Sequence, residues 1–177
     1  EDWILYSPSV MYSVSLLIRL LSQPHDKVLT MNPMYDAFIN VIKENDRELL
    51  SHHLIKEEGT FKIDFDVFEK QAQESALLLL CSPHNPTGRI WSDEEMHRMI
   101  EICKKYQVKI ISDEIHMDIR IKDAKHHPLM KYYGEYKDIF TASSSSKTLN
   151  TPGLIGSYVI IPDEKIRDEF LGVTRRR

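Results

Sequence analysis

Four serines lead into a lysine in Ser143-Ser144-Ser145-Ser146-Lys147-Thr148, between an apolar run ending near Phe140 and Thr141 and a second one at 154–161. A lysine placed where a strand meets a loop of small hydroxyl residues has the makings of a buried amine that forms an imine with a carbonyl cofactor. The plainer reading of the same stretch is a flexible polar linker carrying a solvated lysine. Two other loops bear on the choice: Ser82-Pro83-His84-Asn85-Pro86-Thr87-Gly88-Arg89 and Ser112-Asp113-Glu114-Ile115-His116. Each alone is ambiguous, so their placement in the fold matters.

The elements that would position them can be read from periodicity. Residues 4–6 read as a short strand, and Ser9 caps a helix whose Val10, Val14, Leu17, Ile18 and Leu21 share one face. A strand feeding a helix N-terminus leaves backbone N–H groups that suit an anion. A strand at 27–31 follows, then a helix opened by Asn32-Pro33-Met34-Tyr35 and running to about 44, and a weaker strand around Leu49 and Leu50. His52 and His53 are expected at the surface rather than on a metal, since no ligand cluster completes a shell. Residues 57–60 form a turn, Asp64 caps a helix at 65–73, and 76–81 is an unbroken apolar run of the kind covered on both faces. Ser92 caps a helix at 93–106 with Met96, Met99, Ile100 and Cys103 as its buried stripe. Strands at 108–111, 138–141 and 155–161 and a helix from Pro162-Asp163 through Phe170 complete the series. Alternating strands and helices predict an α/β domain with a mainly parallel sheet, and ligands in such sheets bind beyond the carboxyl ends of the strands. The loops at 82–89, 112–116 and 143–147 all fall there.

The 177 residues, 42% of them hydrophobic, allow one sizeable core. A net charge of −4 provides no broad basic field for nucleic acid, and the cluster Arg175-Arg176-Arg177 is too short to supply one. Cys81 and Cys103 sit in apolar or helical stretches, which points to a reduced, cytoplasmic protein rather than a disulfide framework. No apolar run approaches the length of a membrane span. A first residue other than Met and a close on three arginines are expected of a piece of a longer protein.

Taken in order, the asparagine loop, the aspartate at a strand end and the serine-lysine loop resemble the fold-type I pyridoxal-phosphate enzymes of the class I/II aminotransferase family. Pro83-His84-Asn85-Pro86-Thr87-Gly88-Arg89-Ile90-Trp91 and Ser112-Asp113-Glu114-Ile115-His116 look most like the branch containing cystathionine β-lyases of the MalY/PatB type. The resemblance implies pyridoxal 5'-phosphate as cofactor and Lys147 as the residue that forms the imine and then removes the substrate's Cα proton. It implies that Asp113 faces the ring nitrogen, that Asn85 bonds the phenolic oxygen, and that Tyr35 stacks on the ring. His116 stands where many relatives carry a tyrosine. The phosphate would rest on the amides of Ser9, Val10 and Met11, with hydroxyls from Ser144 and Ser146. Ile155 occupies a position where many aminotransferases place a phosphate-clamping arginine. The resemblance further implies that the chain is the central part of a large cofactor-binding domain, that a small domain built from both chain ends supplies an arginine for the substrate carboxylate, and that a second subunit completes the site in a homodimer. Its expected reaction is carbon-sulfur β-elimination from cystathionine or a similar sulfur amino acid, with amino transfer as the alternative.

Two readings from other classes compete. A DExH helicase would use 110–116 as its Walker B strand, but its phosphate loop needs glycines and 143–146 has none. A metal site on Asp113, Glu114, His116 and Asp118 requires side chains that alternation in an extended segment sends to opposite sides.

Overall fold

Apolar runs too short for helices and flanked by turn residues become the strands of one sheet. The computed structural model describes residues 2–119 and 124–174; the Arg175-Arg176-Arg177 cluster lies outside them. In chain order the elements are β1 (Ile4–Ser7), α1 (Val10–Leu21), β2 (Lys27–Asn32), α2 (Asp36–Glu44), β3 (Glu48–His53), β4 (Ile55–Glu57), β5 (Thr60–Lys62), α3 (Phe65–Ala72), β6 (Leu77–Cys81), α4 (Asp93–Lys105), β7 (Lys109–Asp113), a 3-10 turn (Leu129–Tyr132), β8 (Ile139–Ser143), β9 (Ser157–Ile160) and α5 (Glu164–Thr174). Seven strands form one sheet in the order β1-β9-β8-β7-β6-β2-β3. The pairs from β3 through β8 are parallel, and β9 runs antiparallel to both β8 and β1.

The alternation of a strand assigns each residue of β6 to one of two cores, although all five are buried. Leu78 and Leu80 join Phe68, Trp91, Met96 and Met99 on the face covered by α3 and α4. Leu77, Leu79 and Cys81 join Val14, Leu17, Phe38 and Phe170 on the face covered by α1, α2 and α5. The same alternation on β7 places Ile110 with the first core and Ile111 with the second. Asp113 therefore projects toward α1 and Glu114 away from it, and the two carboxylates diverge as the objection to a shared metal site requires.

The caps fall where the side chains predict. Ser9 Oγ accepts the Tyr12 N–H at 3.1 Å, and Asp64 Oδ1 accepts the N–H groups of Asp66 and Val67, both at 3.1 Å. Ser92 and Glu95 close a reciprocal capping box on α4. Two features depart from expectation. The turn at 57–60 is the tip of a small antiparallel hairpin, β4 with β5, whose short strands carry no alternation to betray them. His52 is not at the surface: it is fully buried, its Nδ1 lies 2.8 Å from Gln71 Oε1, and its ring meets Phe68 edge-on at 5.6 Å. Burial lowers its pKa, so a neutral imidazole fills this place as an aromatic with one polar handle. His53 next to it is exposed, as a strand's alternation demands.

Among the described residues no helix is long and apolar enough to cross a membrane. Cys81 and Cys103 are both free and buried.

Candidate active site

β2 has β3 on one side and β6 on the other, and the polar loops leave the carboxyl ends of β2, β6, β7 and β8 on a common rim. The registers make this concrete: Cys81 pairs with Asp113, and Asp113 with Ala142, so the loops after β6, β7 and β8 start side by side. A cleft of about 160 Å³ opens at that rim. Its walls include Asn85, Asp113, His116 and Lys147 from those loops, Tyr35 from the turn after β2, and Val10 and Met11 from the start of α1. Side chains from four separate turns and loops thus meet with a helix N-terminus, whose first N–H groups have no intrahelical partner.

Asp113 forms the floor. It is 4% exposed, and its Oδ1 accepts the Ile115 N–H at 3.1 Å. Among the described residues no cation and no side-chain donor is bonded to it. Burial, supplemented by the neighbouring Glu114, raises its pKa to about 6, against the opposing pull of the Ile115 bond. A buried carboxyl short of donors is matched to a cationic or N–H-bearing ligand. His116 is half-buried, and its pKa is lowered by burial and then by the nearby Lys147 charge, so it is a neutral donor and acceptor at pH 7.

The asparagine loop is held from several directions. Pro83 and Pro86 follow cis peptide bonds, as does Pro33 before Tyr35. Ser82 N–H donates to Asp113 O at 3.0 Å, Gly88 N–H to His84 O at 2.7 Å, and His84 N–H to Arg89 O at 2.7 Å. Gly88 has φ +71, the left-handed region that favours glycine. Trp91, fully buried, donates its indole N–H to Cys81 O at 2.9 Å and meets the His84 ring at 5.2 Å. Burial, with Arg89 nearby, drives the His84 pKa down to about 4. Arg89 in turn grips Glu95 of α4 at 2.7 Å and the Phe61 carbonyl of β5. Cys81 Sγ accepts the Asn85 N–H at 3.4 Å and donates to Pro83 O at 3.3 Å. Its thiol, pushed up to about 12 by burial, is an un-ionised strut rather than a nucleophile.

The lysine loop differs in one respect from expectation. Lys147 lines the cleft, yet its side chain is exposed rather than buried, because no element among the described residues covers it. Ser144 donates its proton to Gly156 O at 2.7 Å and accepts the Ser146 N–H at 3.1 Å, so its hydroxyl shapes the loop. Ser146 is half-buried and Ser9 caps α1; with Ser144 they border the cleft region without lining it. Ile155 is 78% exposed. Tyr35 is 42% exposed, its ring edge-on to Phe38 at 5.9 Å, which places it over the cleft rather than in the core. Cys81 and Ile115 also line the cleft and escaped the sequence reading. Their signal was available only as position, the last residue of one apolar run and the second residue beyond Asp113.

A mainly parallel sheet in this order, with lysine, aspartate and asparagine meeting at its carboxyl rim, defines the fold of the large domain of pyridoxal-phosphate-dependent transferases. The chain belongs to the class I and II aminotransferase family, whose model matches residues 1–176. It is 35% identical over 176 residues to cystathionine beta-lyase PatB of Bacillus subtilis and 36% identical over 176 residues to protein MalY of Escherichia coli, covering 98% of this chain in both cases. Among solved structures, a pyridoxal-phosphate-bound C-S lyase from Staphylococcus hominis matches 97% of the chain with a TM-score of 0.93 and 32% identity. Cystalysin from Treponema denticola, whose structure contains pyridoxal 5'-phosphate, matches 96% with a TM-score of 0.91 and 32% identity. The chain spans 46% and 45% of the lengths of PatB and MalY and 44% of each of the two solved chains.

Proposed function

We propose that the chain is the central part of the cofactor-binding domain of a pyridoxal-phosphate-dependent carbon-sulfur β-lyase, which cleaves cystathionine or a similar sulfur amino acid to a thiol, pyruvate and ammonia. The observation that carries this reading is the meeting of Asn85, Asp113, His116 and Lys147 in one cleft at a helix N-terminus. The cleft fits the cofactor by its chemistry: the buried Asp113 has no cationic partner among the described residues, and a protonated pyridine nitrogen is the partner it lacks. When bound, pyridoxal phosphate supplies an aldehyde for an amine and a ring that draws electrons from the substrate's Cα.

Each residue then has a defined task. Asp113, ionised at neutral pH once paired, holds the proton on the ring nitrogen. Asn85 would offer its side-chain amide as a donor to the ring's phenolic oxygen, and neutral His116 would offer a second. Tyr35 covers the ring face. The amides of Ser9, Val10 and Met11 receive the phosphate at the positive end of α1, with Ser146 and Ser144 at its edge. Lys147 would hold the cofactor by its amine and would be the base within reach of the substrate's Cα proton. Its side chain is exposed among the described residues. Leu149, Leu154 and Ile155 are 65%, 71% and 78% exposed beside the lysine loop, apolar surface suited to burial under a small domain or a second copy in a homodimer.

The test is an absorbance titration of the full-length protein with pyridoxal phosphate. A long-wavelength band in the wild type that is missing in Lys147→Ala supports the reading, and its presence in both refutes Lys147 as the anchor. Cystathionine then separates the chemistries: pyruvate release supports the lyase, whereas transamination of 2-oxo acids without pyruvate replaces it with the aminotransferase alternative.

A further inference from the structure

Glu114 has no task in the chemistry above, yet it is the more tightly held of the two adjacent carboxylates. Its side chain is 2% exposed. Oε1 accepts from Ser112 Oγ at 3.1 Å and from the Leu129 N–H at 2.8 Å, and Oε2 lies 3.2 Å from His126 Nε2. His126 is itself buried, at 6% of its side chain, and its Nδ1 has no partner among the described residues. The Glu114 backbone is tied as firmly in the other direction. Its N–H donates to Ala142 O at 2.9 Å, and its carbonyl accepts the Ser143 Oγ proton at 3.0 Å. Ala142 and Ser143 close β8, immediately before the loop that carries Lys147.

A buried carboxylate is costly unless fully bonded, and here the bonds tie the 126–129 segment to strand ends already paired in the sheet. The side chain fastens the 126–129 segment to the end of β7, and the backbone fastens the end of β7 to the end of β8. Asp113 and His116 flank this joint on one strand end, and Lys147 lies just beyond the other. We propose that Glu114 is a positioning residue that sets Asp113 and Lys147 at the separation at which both engage one cofactor ring. The inference rests on the cofactor reading above. It makes Glu114 act on the site from the opposite face of the sheet, without touching ligand.

The experiment uses the full-length protein and pyridoxal phosphate itself, reading the dissociation constant and the pH midpoint of the bound-cofactor absorbance band, at a temperature where circular dichroism reports native fold. Glu114→Ala is expected to weaken cofactor binding at least about tenfold and to move the band midpoint, because the groups that meet the ring lose their common support. Glu114→Gln keeps the acceptor for Leu129 and the shape, and is expected to stay within about twofold of wild type. Ser112→Ala, which removes one donor to the Glu114 carboxylate, is expected to weaken binding about threefold, and it decides the matter if Glu114→Ala does not fold. Unchanged affinity and an unchanged midpoint in the folded variants overturn the proposal and leave Glu114 a purely structural acid. A wild-type protein with no band, or a band that survives Lys147→Ala, strikes the cofactor reading instead.

Discussion

Removing the charge of Asp113 should make the cofactor-free protein more stable and the cofactor-bound protein weaker. Burial raises this carboxyl from 3.8 to about 6, and each pH unit of difference between folded and unfolded states is worth about 1.4 kcal/mol. The sign follows from proton counting. Between pH 4 and 6 the folded chain holds the Asp113 proton more tightly than the unfolded chain, so stability falls as pH rises through that window. Above it the full penalty of about 3 kcal/mol is present, and below pH 4 it vanishes. Asp113→Asn is nearly isosteric and never ionises. Equilibrium urea unfolding of the cofactor-free full-length protein should show the variant equal to wild type near pH 4 and more stable by up to about 3 kcal/mol at pH 7. With pyridoxal phosphate added, the order should reverse, because the amide cannot hold a proton on the ring nitrogen. A variant no more stable than wild type at pH 7, or equally stabilised at pH 4, would refute the account of Asp113 as a carboxylate awaiting a cation.

Other consequences concern the asparagine loop. Trp91→Ala removes a fully buried indole and its bond to Cys81 O; unfolding measurements should show a loss of about 4 kcal/mol, together with weaker cofactor binding because Asn85 loses its backing. His84, depressed to about 4 by burial, should keep the NMR signature of a neutral ring down to that pH. Between pH 6.5 and 4 only the unfolded chain takes up this proton, so stability falls as pH falls through that window, and a ring that titrates near 6.5 would contradict its burial.

Element identity was legible wherever one local signal sufficed. Ser9, Asp64 and Ser92 announce helix starts because a short hydroxyl or carboxylate at that place satisfies an orphan amide. The runs at 76–81 and 108–111 announce buried strands because only a doubly covered strand tolerates that many apolar residues in sequence. The convergence of Asn85, Asp113 and Lys147 was readable from their place at strand ends, since a parallel sheet collects such ends on one rim. What stayed hidden depended on neighbours far away in the chain. His52 looks like half of a surface pair until α3 supplies Gln71 and Phe68 to receive it. Lys147 is expected to be buried because its chemistry asks for it, whereas its side chain is exposed among the described residues. Glu114 reads as an ordinary acid beside Asp113, and its partner His126 lies twelve residues on, past a segment without periodicity.

The outer edge of the sheet has a consequence for how the protein is made. Among the described residues β1 pairs with β9 and with no other strand, Ile4 opposite Ile160 and Ser7 opposite Ser157. Within this stretch, the first strand to be made therefore waits for the last, and Ser9, which caps α1, directly follows it. A nascent chain halted before residue 157 would hold Asn85, Asp113 and Lys147 with α1 able to pack on α2 and β7, but β1, which leads into that helix, would have no strand to join.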